Sequence, residues 1–234
     1  MRGRRLGVTR WAMAVDAAHC VGCQTCVVAC QMRNALRPGV AWLRVDALEF
    51  GRWPDADLLF LPHACLHCND APCVGVCPTG ASFQRADGVV LVDYETCIGC
   101  GVCLTACPYG ARTINTDERW FFDAAEAAPY EDASSGRIGV AEKCTLCGHL
   151  TSQDKLPACV KSCAAGARFY GDLDDPDSDA SKELAKYSEG DIHTLQDVGN
   201  HPATRYIMTS MIGQWQDRIA PADHPHTAAY PVAE

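Results

Sequence analysis

Short apolar segments of strand length are spread along the chain and separated by polar or cysteine-rich stretches. Trp11 to Val15 predicts a strand, and Leu58 to Leu61 and Val89 to Val92 are apolar runs of similar length. Asp87-Gly88 directly precedes the third run and is a turn signal, so we expect a β-hairpin there. None of the runs approaches the ~20 apolar residues of a transmembrane helix, and the pattern therefore predicts no direct membrane span.

Four runs of cysteine alternate with these segments and divide the chain into a repeat. Run one is Cys20, Cys23, Cys26 and Cys30; run two is Cys65, Cys68, Cys73 and Cys77; run three is Cys97, Cys100, Cys103 and Cys107; run four is Cys144, Cys147, Cys159 and Cys163. After runs two, three and four, a Gly-Ala pair leads into strand-like stretches that begin at Ser82, Arg112 and Arg168. The pattern predicts a strand, a cysteine loop, a short helix and a further strand in each repeat.

The sixteen cysteines among the 234 residues all belong to these runs, and their spacing decides between three kinds of cysteine chemistry. Thiols three residues apart suit one metal centre better than several disulfides, each of which needs a particular Cα separation. Cys97 to Pro108 matches the C-x2-C-x2-C-x3-C-P pattern of ferredoxins that bind two [4Fe–4S] clusters. Zinc stays an alternative for run four alone, because two pairs of cysteines separated by a gap also bind zinc.

Charge and motifs narrow the class of function further. The net charge is −9 and the sequence has no basic patch, so a nucleic-acid partner is not expected. The chain has no Gly-x-Ser-x-Gly, phosphate-binding loop or His-Glu-x-x-His motif, and no cysteine is left over as a nucleophile. We therefore expect a protein that transfers electrons and is not itself catalytic. A zinc-stapled interaction module is the alternative outside electron transfer.

The repeat predicts an α+β fold of tandem bacterial-ferredoxin-like cluster-binding modules, with short strands and helices, two inserted segments and an extended C-terminal tail. The expected boundaries are 11–35 plus 141–175 for one module holding two clusters, 61–114 for a second module holding two clusters, 36–60 and 115–140 for the insertions, and 176–234 for the tail. Within the tail, Asp177, Ser178 or Asp179 is expected to cap a helix that contains residues 181–184. The end after Gln216 is expected to be disordered or wrapped on a partner.

With all four runs in view, the chain resembles the four-cluster iron–sulfur (beta, electron-transfer) subunits of the molybdopterin oxidoreductases of the dimethyl sulfoxide reductase superfamily. The resemblance covers about residues 11 to 175. The stretches that carry it are His67 to Cys73, Cys77 to Ala81, Cys97 to Cys100, Cys107 to Gly110, Glu142 to Thr145 and Gly171 to Pro176. Together they are specific to the family, although not to one substrate. Ala164 departs from the family pattern, which has proline after Cys163.

The resemblance implies four [4Fe–4S] clusters, each held by three cysteines of one run and one cysteine of another. Set 1 is Cys20, Cys23, Cys26 and Cys163; set 2 is Cys144, Cys147, Cys159 and Cys30; set 3 is Cys65, Cys68, Cys73 and Cys107; set 4 is Cys97, Cys100, Cys103 and Cys77. In the order that the family implies, electrons pass through clusters 1, 2, 3 and 4 in turn. Cluster 1 would lie nearest the molybdenum subunit and cluster 4 nearest the external donor or acceptor.

The resemblance also implies the partners and the location. The expected partner is a molybdopterin-containing catalytic subunit with molybdenum or tungsten, and a membrane anchor or quinone-reactive subunit is a further candidate. The expected location is the extracytoplasmic face of the membrane, reached by co-export with the catalytic subunit; a cytoplasmic complex is the alternative. The alternative function is a free-standing polyferredoxin that serves several partners. The insertions and the tail favour the dedicated subunit, because a shuttle has little need of extra docking surface.

Side chains beside the cysteine runs leave two interpretations open. Lys143 either raises the potential of a nearby cluster through its charge or is a solvated lysine. Trp120-Phe121-Phe122 either docks the catalytic subunit or packs locally under the insertion. His67 lies between two ligands, and because four cysteines suffice for a cluster, we expect it to pack or to form a hydrogen bond.

Overall fold

A computed structural model gives the arrangement of these elements and describes residues 9–124, 126–129, 131 and 137–208. The strands are β1 Trp11–Asp16, β2 Leu43–Arg52, β3 Asp55–Ala64, β4 Ser82–Gln84, β5 Val90–Val92, β6 Thr113–Ile114, β7 Ala141–Glu142, β8 Arg168–Asp172, β9 Ile192–His193 and β10 Arg205–Ile207. The helices are α1 Thr25–Arg33, α2 Pro72–Gly75, α3 Val102–Thr105, α4 Gly148–Thr151, α5 Ala158–Lys161 and α6 Asp179–Leu184. Short 3₁₀ turns cover Phe121–Asp123 and Glu189–Asp191. The fold is thus α+β, with short helices and strands between the cysteine loops.

The central sheet joins the two ends of the described chain in the strand order β8-β1-β10-β9. β1 runs antiparallel to β8, with Trp11 opposite Asp172 and Val15 opposite Arg168. On its other edge β1 runs parallel to β10. The predicted strand over Trp11 to Val15 is confirmed, and its position inside the sheet explains why the side chains from Ala12 to Val15 are buried.

Part of the segment predicted as the C-terminal tail is folded against this sheet. Ser178 caps α6 by accepting a hydrogen bond from Ser181 N over 3.2 Å, which confirms one of the predicted capping residues. Further along, β9 and β10 complete the central sheet, and Tyr206 to Met208 are buried. The pairing of β10 with β1 joins opposite ends of the chain, so no local pattern indicates it. The end after Gln216 lies outside the described residues.

The insertion predicted over 36–60 forms most of a long hairpin. β2 and β3 pair antiparallel along their whole length. Leu59 and Leu61 belong to one apolar cluster with Tyr206 of β10, so the hairpin is anchored to the central sheet. Because β3 ends directly before Cys65, the hairpin also leads the chain into run two.

The insertion predicted over 115–140 is described in part. Arg37 contacts the first residues of this insertion. The guanidinium of Arg37 donates to Glu118 O over 2.6 Å and lies 3.5 Å from the ring centroid of Trp120. Phe122, by contrast, is 94% exposed. Of the two interpretations of this aromatic segment, local packing therefore describes Trp120. The ring of Phe122 instead forms part of the apolar surface.

The short elements bring the cysteine runs together in pairs. α1 packs against α5, so runs one and four meet, and α2 packs against α3, so runs two and three meet. The hairpin predicted around Asp87-Gly88 is confirmed as β4 and β5, and Gly88 has the φ of 81° that its turn requires. Cysteines contribute to the apolar interior: Cys26, Cys30 and Cys159 belong to one buried cluster. Within the described residues, no helix has the length and apolar character needed to cross a membrane.

Candidate iron–sulfur centres

The same backbone bend occurs in every cysteine run. The residue directly before the second cysteine has a positive φ in all four: Gly22 at 65°, His67 at 46°, Gly99 at 67° and Leu146 at 52°. Glycine adopts this conformation freely, whereas His67 and Leu146 adopt it at a cost in backbone energy. At Gly99 a side chain is also sterically excluded, because an added Cβ would lie 2.1 Å from Gly139 O. The recurrence at residues other than glycine indicates that the bend belongs to the cysteine loop itself.

Set 1 and set 3 each line a single cavity. All four cysteines of set 1 line one cavity together with Arg168. All four cysteines of set 3 line another cavity together with Arg112. Each cavity has an empty volume of about 340 Å³. Two cavities of the same size, lined by the same kind of donor, fit two bound groups of the same kind.

Set 2 lines a larger cavity beneath the central sheet. Its four cysteines border an empty volume of about 510 Å³ together with Asn34 and Tyr206. Cys65 of set 3 borders the same cavity. The thiols predicted for the second and third clusters are therefore neighbours in the interior, where the two pairs of runs meet.

Set 4 reaches the surface, as set 1 does. Cys100 is exposed, Cys77 and Cys97 are half-buried, and Cys103 is buried. Cys77 lies two residues after the end of α2, and Cys103 lies on α3. For set 4, the packing of α2 on α3 is the observation that brings the two contributing runs together.

Comparison with known proteins agrees with this arrangement. A sequence family described as a 4Fe-4S dicluster domain matches residues 56–122 and 114–173, and a second family of the same description matches residues 19–81. A Halobacterium salinarum protein that bears the name of an iron–sulfur subunit of dimethyl sulfoxide reductase is 40% identical, over 87% of this chain and 81% of its own length. The chain belongs to this family of iron–sulfur subunits.

Two further relatives extend the family beyond one substrate. A selenate reductase subunit of Mesobacillus selenatarsenatis is 36% identical, over 86% of this chain and 73% of its own length. The arsenate respiratory reductase iron–sulfur subunit of a Shewanella species is 34% identical, over 85% of this chain and 96% of its own length. As an iron–sulfur subunit of this superfamily, the chain carries four [4Fe–4S] clusters on its sixteen cysteines and is a non-catalytic electron carrier. The comparisons favour neither the zinc module nor the free-standing polyferredoxin.

The thiols of this iron–sulfur subunit lie where a metal cluster can stabilise their charged form. Burial, with a smaller contribution from Cys65, raises the pKa of the Cys68 thiol to about 12. Burial, together with the neighbouring Cys159, likewise raises the pKa of the Cys144 thiol to about 12. Such thiols hold their protons at neutral pH unless a positive charge replaces them, and iron supplies that charge. The cavities and their donors therefore fit an iron–sulfur cluster.

Backbone N–H groups donate to several of these sulfur atoms. The donors are Ala167 to Cys163 at 3.3 Å, Leu146 to Cys144 at 3.4 Å, Ser82 to Cys77 at 3.3 Å and Ala141 to Cys97 at 3.4 Å. At Cys77, slight burial raises the pKa of the thiol, but hydrogen bonds led by the one from Ser82 outweigh it and lower the pKa to about 7. Hydrogen bonds of this kind stabilise thiolate charge and set cluster potentials.

Four side chains that the sequence pattern does not predict also donate to ligand sulfurs. They are Asn34 to Cys30 at 3.5 Å, Asn200 to Cys68 at 3.0 Å, Arg112 to Cys73 at 3.1 Å and Arg168 to Cys159 at 3.7 Å. A signal exists for the two arginines, because each stands five residues after the last cysteine of its run. Asn200 comes from outside the runs and has no such signal.

Two further side chains beside the runs have defined roles. Lys143 is 1% exposed, so the interpretation of a solvated lysine is wrong. Its ammonium group donates to Cys144 O over 2.8 Å and also to Val90 O. The ring of His67 is buried, and its Nδ1 accepts a hydrogen bond from Val90 N over 3.0 Å, which confirms the expected hydrogen-bonding role.

Neighbouring sets interact in one order along the molecule. The contacts between sets are Arg168, which lines the cavities of sets 1 and 2, Cys65 of set 3, which lines the cavity of set 2, and the packing of α2 on α3 between sets 3 and 4. These contacts join set 1 to set 2, set 2 to set 3, and set 3 to set 4. The row has the same order as the one that the family resemblance implies.

Proposed function

We propose that this iron–sulfur subunit relays single electrons between a molybdopterin catalytic subunit, with molybdenum or tungsten, and an external or membrane-bound redox partner. The observation that carries the proposal is the continuous row of four thiol sets with an exposed ligand at each end, Cys23 in set 1 and Cys100 in set 4. Every cysteine of sets 2 and 3 is buried or half-buried. A row with two accessible ends and a shielded middle suits transfer from one partner to another.

We further propose that sets 1 to 4 are the ligand sets of the four clusters. The support is the shared cavity of sets 1, 2 and 3 and the packing of α2 on α3 for set 4. A four-iron cluster, when bound, accepts and releases one electron at a time. The residues of this chain hold the sulfurs in place, donate hydrogen bonds to them and exclude water from the middle sets.

Exposed apolar side chains stand beside both ends of the row. Val21 lies between the first two cysteines of run one and is exposed, and Ile98 occupies the equivalent position in run three and is exposed as well. Apolar side chains are typical of the centre of a protein interface. We propose that the set 1 end binds the catalytic subunit, as the family resemblance implies, and that the set 4 end faces the external partner.

We propose the extracytoplasmic face of the membrane as the location of the complex, with attachment through a membrane anchor or quinone-reactive subunit. The support for this proposal is the resemblance to a family whose electron-transfer subunits are often exported together with their catalytic subunits. Protease treatment of intact cells and of spheroplasts, with immunoblotting of this chain, tests it. Degradation in spheroplasts supports the proposal, whereas protection until the cells are lysed indicates the cytoplasmic alternative.

Anaerobic purification of the native complex tests the partner. The proposal predicts molybdenum or tungsten on a large subunit that co-purifies with this chain. A full content of iron without either metal would indicate a free-standing polyferredoxin.

The variants Val21→Glu and Ile98→Glu distinguish the two ends of the row. Val21→Glu should release the large subunit with the iron retained. Ile98→Glu should retain the large subunit and slow electron exchange with the external partner. Release by Ile98→Glu alone would reverse the proposed orientation.

A further inference from the structure

A buried cation lies at each junction between successive thiol sets. Arg168 lies at the first junction, because it lines both the cavity of set 1 and the cavity of set 2. Its guanidinium donates to Cys159 Sγ of set 2 over 3.7 Å and interacts electrostatically with Cys26 of set 1. The residue is only 6% exposed, so its charge acts mainly on these two sets.

The other two junctions hold one cation each. Lys143 donates to the main-chain carbonyl of Cys144, a set 2 cysteine, and to that of Val90, which lines the cavity of set 3. Its charge also acts on the thiols of Cys144 and Cys73. Arg112 donates to Cys73 Sγ of set 3 over 3.1 Å and interacts with Cys103 of set 4. Arg112 is also buried. Each cation therefore contacts or faces ligands of two sets at once.

None of these three cations pairs with a carboxylate in the part of the chain that the structure describes. Lys143 donates to main-chain carbonyls, and Arg112 donates to the hydroxyl of Ser82 over 2.6 Å. Burial of a cation without a counter-charge is unfavourable. Arg137 provides the contrast, because it is similarly buried but forms an ion pair with Glu142 over 3.2 Å.

The clusters supply the missing negative charge. The formal charges of two ferric and two ferrous irons, four sulfides and four thiolates sum to roughly −2 for an oxidised cluster, and one electron makes the sum roughly −3. Adjacent clusters in a row repel each other, most strongly when both are reduced, because like charges interact over long distances in a low-dielectric interior. A cation between two clusters offsets this repulsion.

We propose that Arg168, Lys143 and Arg112 each serve as a shared counter-ion for the two flanking clusters, so that neighbouring clusters can hold electrons at the same time. None of the three accepts an electron itself. The positive charge of each raises the reduction potential of both flanking clusters. The inference rests on the proposed ligand sets.

The repeat places two of these cations at equivalent positions. Arg112 and Arg168 each stand five residues after the last cysteine of a run, and Ser82 has the same position after run two. Ser82 accepts the hydrogen bond from Arg112 and thereby helps to orient it. Each predicted module thus contains one arginine between its own two clusters, and Lys143 of the first module contacts the second by donating to Val90 O.

Redox titration of neutral variants tests the proposal. The variants Arg168→Met, Lys143→Met and Arg112→Met remove one charge each with little change in side-chain length. They are prepared anaerobically as the full chain in its native complex, and iron is counted before titration monitored by EPR. We expect the equilibrium constant for reduction of each flanking cluster to fall about tenfold, which lowers its potential by about 59 mV for one electron. The other two clusters should be unchanged. Lys182→Met, at an exposed lysine of α6, should shift none of the four.

Charge-retaining variants separate charge from packing. In Arg168→Lys, Lys143→Arg and Arg112→Lys, the equilibrium constant for reduction of each of the four clusters should stay within threefold of its wild-type value. Unchanged potentials in a fully loaded neutral variant, or equal shifts in the neutral and charge-retaining variants, would overturn the proposal. If a neutral variant fails to load iron, full loading of its charge-retaining counterpart supports the proposal and failure of both contradicts it. Incomplete iron in the wild-type chain would instead count against the proposed ligand sets.

Discussion

The side-chain amide of Asn200 donates a hydrogen bond to the Sγ atom of Cys68 over 3.0 Å, although the two residues lie 132 positions apart. The turn that carries Asn200 is held by Asp197, whose carboxylate accepts the main-chain N–H groups of Gly199, Asn200 and His201. The segment after α6 therefore closes over set 3 and provides a donor that no cysteine run contains.

Replacing Asn200 by alanine should lower the potential of the cluster proposed for set 3. The amide stabilises negative charge on the sulfur, and this charge is greatest in the reduced state, so its loss disfavours reduction. We expect a shift of roughly 30 to 60 mV, up to about tenfold in the equilibrium, measured by EPR-monitored redox titration. Asn115→Ala is the matched control, because this buried asparagine bonds to Asp117 and should shift no potential. An unshifted set 3 cluster in Asn200→Ala would contradict the assigned role.

Adjacent leucines of β3 should differ sharply in their contribution to stability. Leu59 is 2% exposed and packs in the apolar cluster between the hairpin and the central sheet, whereas Leu58 is 57% exposed. Leu59→Ala should lower the free energy of unfolding by about 2 to 4 kcal/mol through lost burial and a residual cavity. Leu58→Ala should change it by less than about 0.5 kcal/mol. Thermal unfolding of the loaded protein measures both, and similar transition temperatures for the two variants would contradict the packing of the hairpin on the sheet.

A methyl group at Gly99 should prevent assembly of the cluster proposed for set 4. The added Cβ would lie 2.1 Å from Gly139 O, and the φ of 67° disfavours any side chain. Gly99→Ala should therefore lose about four irons per chain, measured by iron analysis and EPR. Gly80→Ala is the control, because Gly80 has a similar φ of 71° but open space around its Cβ. Full iron content in Gly99→Ala would show that the loop relaxes without losing its ligands.

Removal of iron should unfold much of the chain. Cys26, Cys30 and Cys159 belong to the main apolar cluster, and Cys73 and Cys103 belong to another, so the interior is built around the cluster ligands. Metal binding contributes folding free energy directly in proteins of this kind. Anaerobic chelation followed by far-ultraviolet circular dichroism should show loss of secondary structure, with recovery after iron and sulfide are restored. A cooperative thermal transition in the iron-free chain would contradict this dependence.

Features that depend on neighbouring residues can be predicted from the sequence. The strand at Trp11 to Val15, the turn at Asp87-Gly88 and the cap at Ser178 each rest on a few adjacent side chains, and all three are present. The family pattern in the four runs likewise indicates which cysteines border a common cavity in sets 1 to 3.

Features that depend on tertiary contacts cannot be predicted in the same way. β10 pairs with β1 from the opposite end of the chain, and its burial depends on a sheet that its own sequence does not specify. Asn200 is an ordinary polar residue until the fold buries it beside the sulfur of Cys68. Lys143 stands next to Cys144 in the sequence, but its burial depends on the fold. The hydrogen bond from Lys143 to Val90 O joins residues 53 positions apart, and no local pattern indicates it.

Iron and acid-labile sulfide in the anaerobically purified native complex test the central claim most directly, with zinc measured in the same samples. Four [4Fe–4S] clusters predict about sixteen irons and about sixteen sulfides per chain, with no stoichiometric zinc. About twelve irons or fewer in fresh protein, or zinc in place of iron, would contradict a row of four clusters.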